Sequence, residues 1–314
     1  MDQVSTIRQA GSPIEKIKEI SRSVVNINTL GFPQDAFQRA TPVEGIGSGF
    51  FFDREGHILT NSHIIENAKR LAVTLADRRV LQGKIVGLCK MSDIAVVKVY
   101  TADVEPIEFG DSDRLEVGQE VFAIGNPYGL TGGSIVTTGI ISALERTFHT
   151  KEGGFRLVQT DALIDSGSSG GPLVDLSGRV IAINTTLIPS ASGIGFAIPV
   201  NLAKIHLGDI VLYGKVKEPW LGVTGITITK GMAKHYDFPI RSGVFVVNIA
   251  PNSPADKAKI RQGNIIAEFD NRVVSNIEDL KNILLEKEPG ERVELVILRG
   301  PKKNRLRVTL EQTP

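Results

Sequence analysis

From Ser23 to about Val200 the chain is a succession of short apolar runs broken by glycine and turn residues, with no long helical pattern between them. The runs are SVVNINTL, GSGFFF, HILTNSHII, LAVTL, KIVGL, DIAVVKV, QEVFAIG, SIVTTGIIS, RLVQTDALI, GPLVDL, RVIAIN and GIGFAIPV. Regular short strands of this kind specify an all-β barrel or sandwich. Two turns support antiparallel pairing. Asp53-Arg54-Glu55-Gly56 and Asp175-Leu176-Ser177-Gly178 each place Asp first and Gly fourth between apolar runs, which suits a type I turn closed by a left-handed glycine.

The flanks differ. Ser12-Pro13 opens an amphipathic helix with isoleucines at 14, 17 and 20, Ser12 as N-cap and Pro13 in the first helical position. After the β-rich region, Asn201 to Tyr213 reads as a short closing helix and Lys215 to Pro219 as a polar linker. From Trp220 the order is strand, strand, a short helix after Ser253-Pro254-Ala255, strand, a helix from Ile277 to Glu288, and two more strands. That order makes an α+β unit. The division is therefore an N-terminal arm and helix at 1–22, an all-β domain at 23–207, a linker at 208–219 and an α+β domain at 220–314. A length of 314 residues accommodates two cores.

A serine hydroxyl becomes a nucleophile only when an imidazole takes its proton, and that imidazole needs a carboxylate to fix its tautomer. Of the five histidines, His63 alone lies in a dense local pattern, Leu59-Thr60-Asn61-Ser62-His63-Ile64-Ile65, at the end of an apolar run. His57, His149, His206 and His235 lie beside turns or in polar stretches and read as partly exposed surface residues. Asp165-Ser166-Gly167-Ser168-Ser169-Gly170-Gly171-Pro172 concentrates small residues that let backbone amides turn inward. The amides of Gly167 and Ser169 would form an oxyanion hole, a contribution of ~3 kcal/mol per donor. His63, Asp93 and Ser169 occur in that order within one β-rich region; Asp161 and Asp165, just before the nucleophile, compete for the carboxylate role, although both suit backbone hydrogen bonding.

The segments TNSHII, SDIAVVKV, GNPYGL, QTDALIDSGSSGGPLV and GIGFAIPV resemble the HtrA/Deg family of chymotrypsin-like serine proteases, and WLGV with GVFVVNIAPNSPADKAKI resembles its PDZ domain. The likeness runs from about Val24 to Leu310. It implies an all-β, chymotrypsin-like double β-barrel protease domain followed by an α+β PDZ domain, with His63 as general base, Asp93 as orienting carboxylate and Ser169 as nucleophile. The family usually has asparagine where Ser168 stands. The resemblance further implies an S1 pocket walled by Ile164, Leu187 and Ile188, and a loop-ordering role for Arg146. It also implies trimer contacts either in the loop from Leu30 to Glu44, which carries Phe32 and Phe37, or in the segment before the first strand; the two aromatics equally suit covering the barrel end. In the PDZ domain it implies a carboxylate-binding loop at Leu221, Gly222 and Val223, with Leu280 and Leu284 facing the groove.

The expected function is ATP-independent cleavage of unfolded or misfolded polypeptide, with capture of peptide C-termini by the PDZ domain and assembly as a trimer or a multiple of trimers. A chaperone or scaffold that holds misfolded chains without cutting them is the alternative. No GxxxxGK[ST] loop occurs, so no nucleotide is expected, and no HExxH or paired histidines at ligand spacing point to a metal. Lys and Arg (36) nearly cancel Asp and Glu (35), leaving +1, which gives no footprint for nucleic acid. Cys89, the single cysteine, reads as a buried structural thiol. No apolar run reaches the ~18 residues of a membrane span, and Met1 to Pro13 lacks the apolar stretch of an export signal. The expected compartment is cytoplasmic as the sequence stands, and extracytoplasmic if such a signal has been removed.

Overall fold

The computed structural model describes residues 13–31, 43–127, 133–149, 154–186, 193–217 and 219–313. Ser12, the expected cap of the first helix, lies outside them, as do Phe32, Phe37, Leu187 and Ile188. Contacts divide the chain into two compact units, whose main boundary falls between Val216 and Lys217.

The first unit opens with α1 (Pro13–Ser21), whose Ile20 is buried while Ile14 is exposed. Seven strands follow: β1 (Val24–Gly31), β2 (Val43–Phe51), β3 (His57–Thr60), β4 (Arg70–Thr74), β5 (Val80–Gln82), β6 (Lys84–Cys89) and β7 (Ile94–Lys98), with a single helical turn, α2 (Ser62–Ile65), after β3. They form one antiparallel sheet in the order β5-β4-β1-β2-β3-β7-β6. Its two outer strands, β5 and β6, are joined by Gly83 alone, so the sheet curls until its edges meet. Val25, Ile27, Phe51, Ile58, Val73 and Val97 fill its interior.

The next six strands, β8 (Glu120–Gly125), β9 (Ile135–His149), β10 (Gly154–Thr160), β11 (Pro172–Val174), β12 (Val180–Thr185) and β13 (Gly195–Pro199), close a barrel in the order β10-β13-β12-β11-β8-β9. Val121, Ile141, Leu173 and Ile181 pack inside it. Both anticipated turns form: Gly56 and Gly178 have φ of +86° and +82°, and the Asp53 and Asp175 carboxylates accept the backbone N–H two residues on at 3.0 and 2.9 Å.

Helix α3 (Val200–Tyr213) ends at Gly214, which has φ +73°. It packs Ala203, Leu207 and Ile210 inward. The closing helix expected from Asn201 to Tyr213 is formed; Gly208 to Tyr213, counted with the linker in the domain division, is its last part, drawn in by Ile210. Two histidines also depart from expectation. His57 is buried and bonded through Nδ1 to Asp53 at 2.6 Å. His206 is buried on the inner face of α3, with no partner for Nε2 among the described residues. Desolvation there lowers the His206 pKa against the opposing pull of Asp209, keeping the imidazole neutral. His235 is exposed as anticipated.

The second unit holds β14 (Pro219–Trp220), β15 (Val223–Thr227), α4 (Lys230–His235), β16 (Val244–Ile249), α5 (Pro254–Lys257), β17 (Ile265–Phe269), β18 (Arg272–Val273), α6 (Ile277–Leu285), β19 (Arg292–Arg299), β20 (Lys302–Thr309) and β21 (Glu311–Gln312). The main sheet runs β15-β16-β17-β19-β20, with β18 on β17 and β14 paired to β21. Ser253, Thr229 and Asn276 cap α5, α4 and α6 through their side-chain oxygens, satisfying amides that the first turn leaves unpaired.

Candidate active site

Strand β3 is buried along its whole length and carries the chain to Asn61, whose extended backbone starts α2. Ile64 and Ile65 anchor that turn in the first core, leaving the His63 side chain 28% exposed. Asp93 occupies the β6–β7 turn with φ +54°, a left-handed conformation that Asp and Asn tolerate better than most residues. Its carboxylate is 2% exposed. Oδ1 accepts from the His63 N–H at 3.0 Å and from Ser62 Oγ at 3.1 Å; Oδ2 accepts from Thr185 Oγ1 at 3.1 Å. His63 Nδ1 lies 2.8 Å from Oδ2. A buried carboxylate must be held by donors, and here they come from two separate segments, Ser62-His63 and Thr185.

With Nδ1 facing a carboxylate, the imidazole proton belongs on Nδ1 and Nε2 is free to accept. Nε2 is 3.3 Å from Ser169 Oγ. Ser169 follows a 3₁₀ turn at Ser166–Ser168, capped by Asp165, whose Oδ1 accepts the Ser168 N–H at 2.7 Å. Asp161 Oδ1 accepts the Ile140 N–H at 2.7 Å. Both competing carboxylates are thus bound to backbone, and Asp93 is the one at the imidazole. Gly170 must be glycine: at φ +84° an added Cβ would lie 2.2 Å from the Ser48 carbonyl oxygen. No hydrogen bond among the described residues takes up the amide of Gly167 or Ser169.

Several members of this site were not singled out in the sequence. Asn61, fully buried, accepts the Ser169 hydroxyl at 2.9 Å through Oδ1 and donates to the Asp93 carbonyl at 3.1 Å. The Thr186 N–H donates to Ser169 Oγ at 3.2 Å. Thr185 and Asn61 sit inside the RVIAIN-TT and TNSH segments, where a polar residue in an apolar run is the available signal.

A trypsin-like peptidase domain model matches residues 47–183 and a PDZ domain model residues 219–310. Protease Do-like 1 of the Arabidopsis thaliana chloroplast is 39% identical over 100% of this chain and 73% of its own length. The chain belongs to the HtrA/Deg family of serine proteases. Other HtrA/Deg relatives are the putative serine protease HhoB of Synechocystis, 38% identical over 82% of this chain, and the periplasmic pH-dependent serine endoprotease DegQ of Escherichia coli, 36% identical over 87%. The chain spans 64% and 61% of those two proteins. Among solved structures, the HtrA-type protease AlgW with a decapeptide superposes with a TM-score of 0.80 at 29% identity, covering 97% of this chain and 99% of that one. The double-barrel protease fold followed by a PDZ domain is thereby shown.

Around the HtrA/Deg site, Ile164 is 4% exposed in the second barrel's core. Its side chain flanks Gly195, where an added Cβ would meet Ile164 Cδ1 at 3.0 Å. Arg146, on β9, is exposed and donates to Gln159 of β10 at 3.1 Å. In the PDZ domain the Leu221 and Gly222 carbonyls accept from Ala255 and Ala250, each at 2.9 Å. Gly222 has φ +82°, and an added Cβ would fall 2.1 Å from Ser253 Cβ. Strand β15 is an edge strand, and the Ile277 N–H of α6 bonds to its Thr227 Oγ1 at 3.0 Å. Leu280 is a core residue, 3% exposed, which corrects its assignment to the groove. The four-residue spacing does put Leu280 and Leu284 on one face, but that face turns onto the sheet, with Leu284 half-buried against the same core.

Asp53, Glu55 and His57 bring ligand-type atoms within 4.8 Å of one another. Asp53 is already engaged by the turn amides of Glu55 and His57. Among the described residues, no helix is long and apolar enough to cross a membrane.

Proposed function

We propose that the chain is an ATP-independent serine endopeptidase acting on unfolded polypeptide, with His63, Asp93 and Ser169 as its triad. The observation that carries this reading is the single imidazole bound to Asp93 through Nδ1 and facing Ser169 Oγ through Nε2. In the forward step Oγ attacks the scissile carbonyl carbon while Nε2 takes the hydroxyl proton. The imidazolium so formed is stabilised by Asp93, and Nε2 then gives the proton to the leaving amine. Water repeats the sequence on the acyl-enzyme and frees Ser169. The amides of Gly167 and Ser169 donate to the carbonyl oxygen as it becomes negative. The names of the relatives, a protease, a putative serine protease and a serine endoprotease, point the same way.

Ile164 gives the S1 pocket an apolar wall without charge, and Arg146 helps order the neighbouring loops. Cleavage of a reduced, unfolded protein, with chelator present and no nucleotide, is expected to fall after valine, alanine and isoleucine. Mass spectrometry of the fragments checks this, and a dominance of lysine or arginine before the cut would exclude an apolar pocket.

The PDZ domain recognises peptide C-termini by adding the peptide as a strand beside β15, with the carboxylate at the amides of Leu221, Gly222 and Val223. Its partners are unfolded chains and their termini, and the protease assembles as a trimer or a multiple of trimers. Full-length Ser169→Ala, which binds without cutting, should hold a free-acid peptide with an apolar last residue at least tenfold tighter than its amide. Equal affinities in a fluorescence titration would remove the carboxylate loop from the account.

A further inference from the structure

We propose that Ser48 is a positioning residue that sets the oxyanion loop, an inference that rests on the acyl-transfer role proposed for Ser169. Ser48 lies in the middle of β2, in the first barrel, opposite Asn26 of β1. It is fully buried, where a polar side chain is costly unless it is bonded.

Each of its polar groups is directed at the site. The hydroxyl donates to the Gly167 carbonyl at 2.6 Å and accepts the Asn126 N–H at 2.8 Å. The Ser48 N–H donates to the Ser169 carbonyl at 2.7 Å. Its own carbonyl accepts the Thr60 hydroxyl at 2.7 Å, on the strand that leads to His63. One residue of the first barrel therefore holds the nucleophile loop of the second and the base-bearing strand of the first.

The bond to Gly167 has a specific consequence. The peptide between Gly167 and Ser168 is clamped at both ends, its oxygen by Ser48 Oγ and its N–H by Asp165 Oδ1 at 2.7 Å. Fixing that plane leaves the amides on either side, those of Gly167 and Ser169, free to meet an oxyanion. Without the hydroxyl, a buried carbonyl in a loop of small residues loses its donor and must find another. The nearest way is a peptide rotation that withdraws an amide from the hole. A strand position in an apolar core has no need of a hydroxyl for packing, so the serine is explained by the loop it holds.

The test is Ser48→Ala in the full chain, assayed on a peptide chosen from the mapped cleavage sites. Removing an oxyanion donor outright costs about 10²–10³ in kcat, so an amide that is present but no longer fixed should cost about 10–100-fold. Values of kcat are taken per site labelled to completion by a fluorophosphonate. KM should stay within about twofold and the pH midpoint of kcat/KM should not move, because Ser48 touches neither His63 nor Asp93. Affinity for a peptide boronic acid, whose adduct places an anionic oxygen in the loop, should weaken by the same factor as kcat. Ser48→Cys, which keeps the volume and donates weakly, should shift kcat and boronate affinity the same way and guards against a folding defect in the alanine variant. A purely structural serine would lower Tm and leave kcat per labelled site and boronate affinity at the wild-type level, which overturns the proposal. If wild type neither turns over nor is labelled, the acyl-transfer reading itself falls and takes this inference with it.

Discussion

Ser169→Ala and His63→Ala are each expected to cut turnover of an unfolded protein by about 10⁵–10⁶-fold, and the double variant to lose little more. Either change removes the proton transfer on which the other residue acts, so the losses do not add. Both variants should fold. His63 is partly exposed on a turn held by Ile64 and Ile65. Losing the Ser169 hydroxyl frees the Asn61 and Thr186 contacts, at about 1 kcal/mol for each neutral hydrogen bond. The measurement is fragment release from a reduced protein at rising temperature, alongside Tm. Degradation by Ser169→Ala at the wild-type rate would assign the proteolysis to a contaminant, and a chaperone or scaffold role would then replace the enzymatic one.

The barrels and the PDZ sheet are legible in the sequence because strand alternation and turn chemistry are local: Asp53–Gly56 and Asp175–Gly178 form the turns that their residues dictate. What is not legible depends on contacts between distant segments. HILTNSHII reads as one strand, yet it breaks at Asn61 into a helical turn, because Asp93, from another turn, accepts the His63 N–H. Ser48, Asn61 and Thr185 look like incidental polar residues in apolar runs until the two barrels bring them to the nucleophile. His57 and His206 sit in polar surroundings in the sequence but are buried in the fold, one paired with Asp53 and the other kept neutral by desolvation. Leu280 shows the converse limit, since helical spacing identifies a face without saying whether it meets a ligand or a sheet.

Asp93→Asn is expected to lower kcat about 10⁴-fold with little change in KM, and the site makes it an unusually clean substitution. Asparagine tolerates the left-handed backbone that Asp93 adopts, so alanine's added strain is avoided and the size of the side chain is kept. If the amide oxygen takes the Oδ1 position, it still accepts from the His63 N–H and Ser62 Oγ. The NH₂ group then faces Thr185 Oγ1 and His63 Nδ1, where Oδ2 had accepted from both. Thr185 can adapt by rotating its hydroxyl to accept. His63 Nδ1 also lies 2.9 Å from the Oδ1 position, but the NH₂ at the shorter, 2.8 Å contact favours the tautomer that carries its proton on Nε2, and an Nε2–H cannot take a proton from Ser169. The nucleophile then stays a hydroxyl beside a donor, and fluorophosphonate labelling of Ser169 should slow in step with peptide turnover. Tm should fall only slightly, since most of the donors around the side chain keep a partner. Near-normal labelling and turnover by a folded Asp93→Asn protein would mean that another group orients His63, and Asp93 would lose its place in the triad.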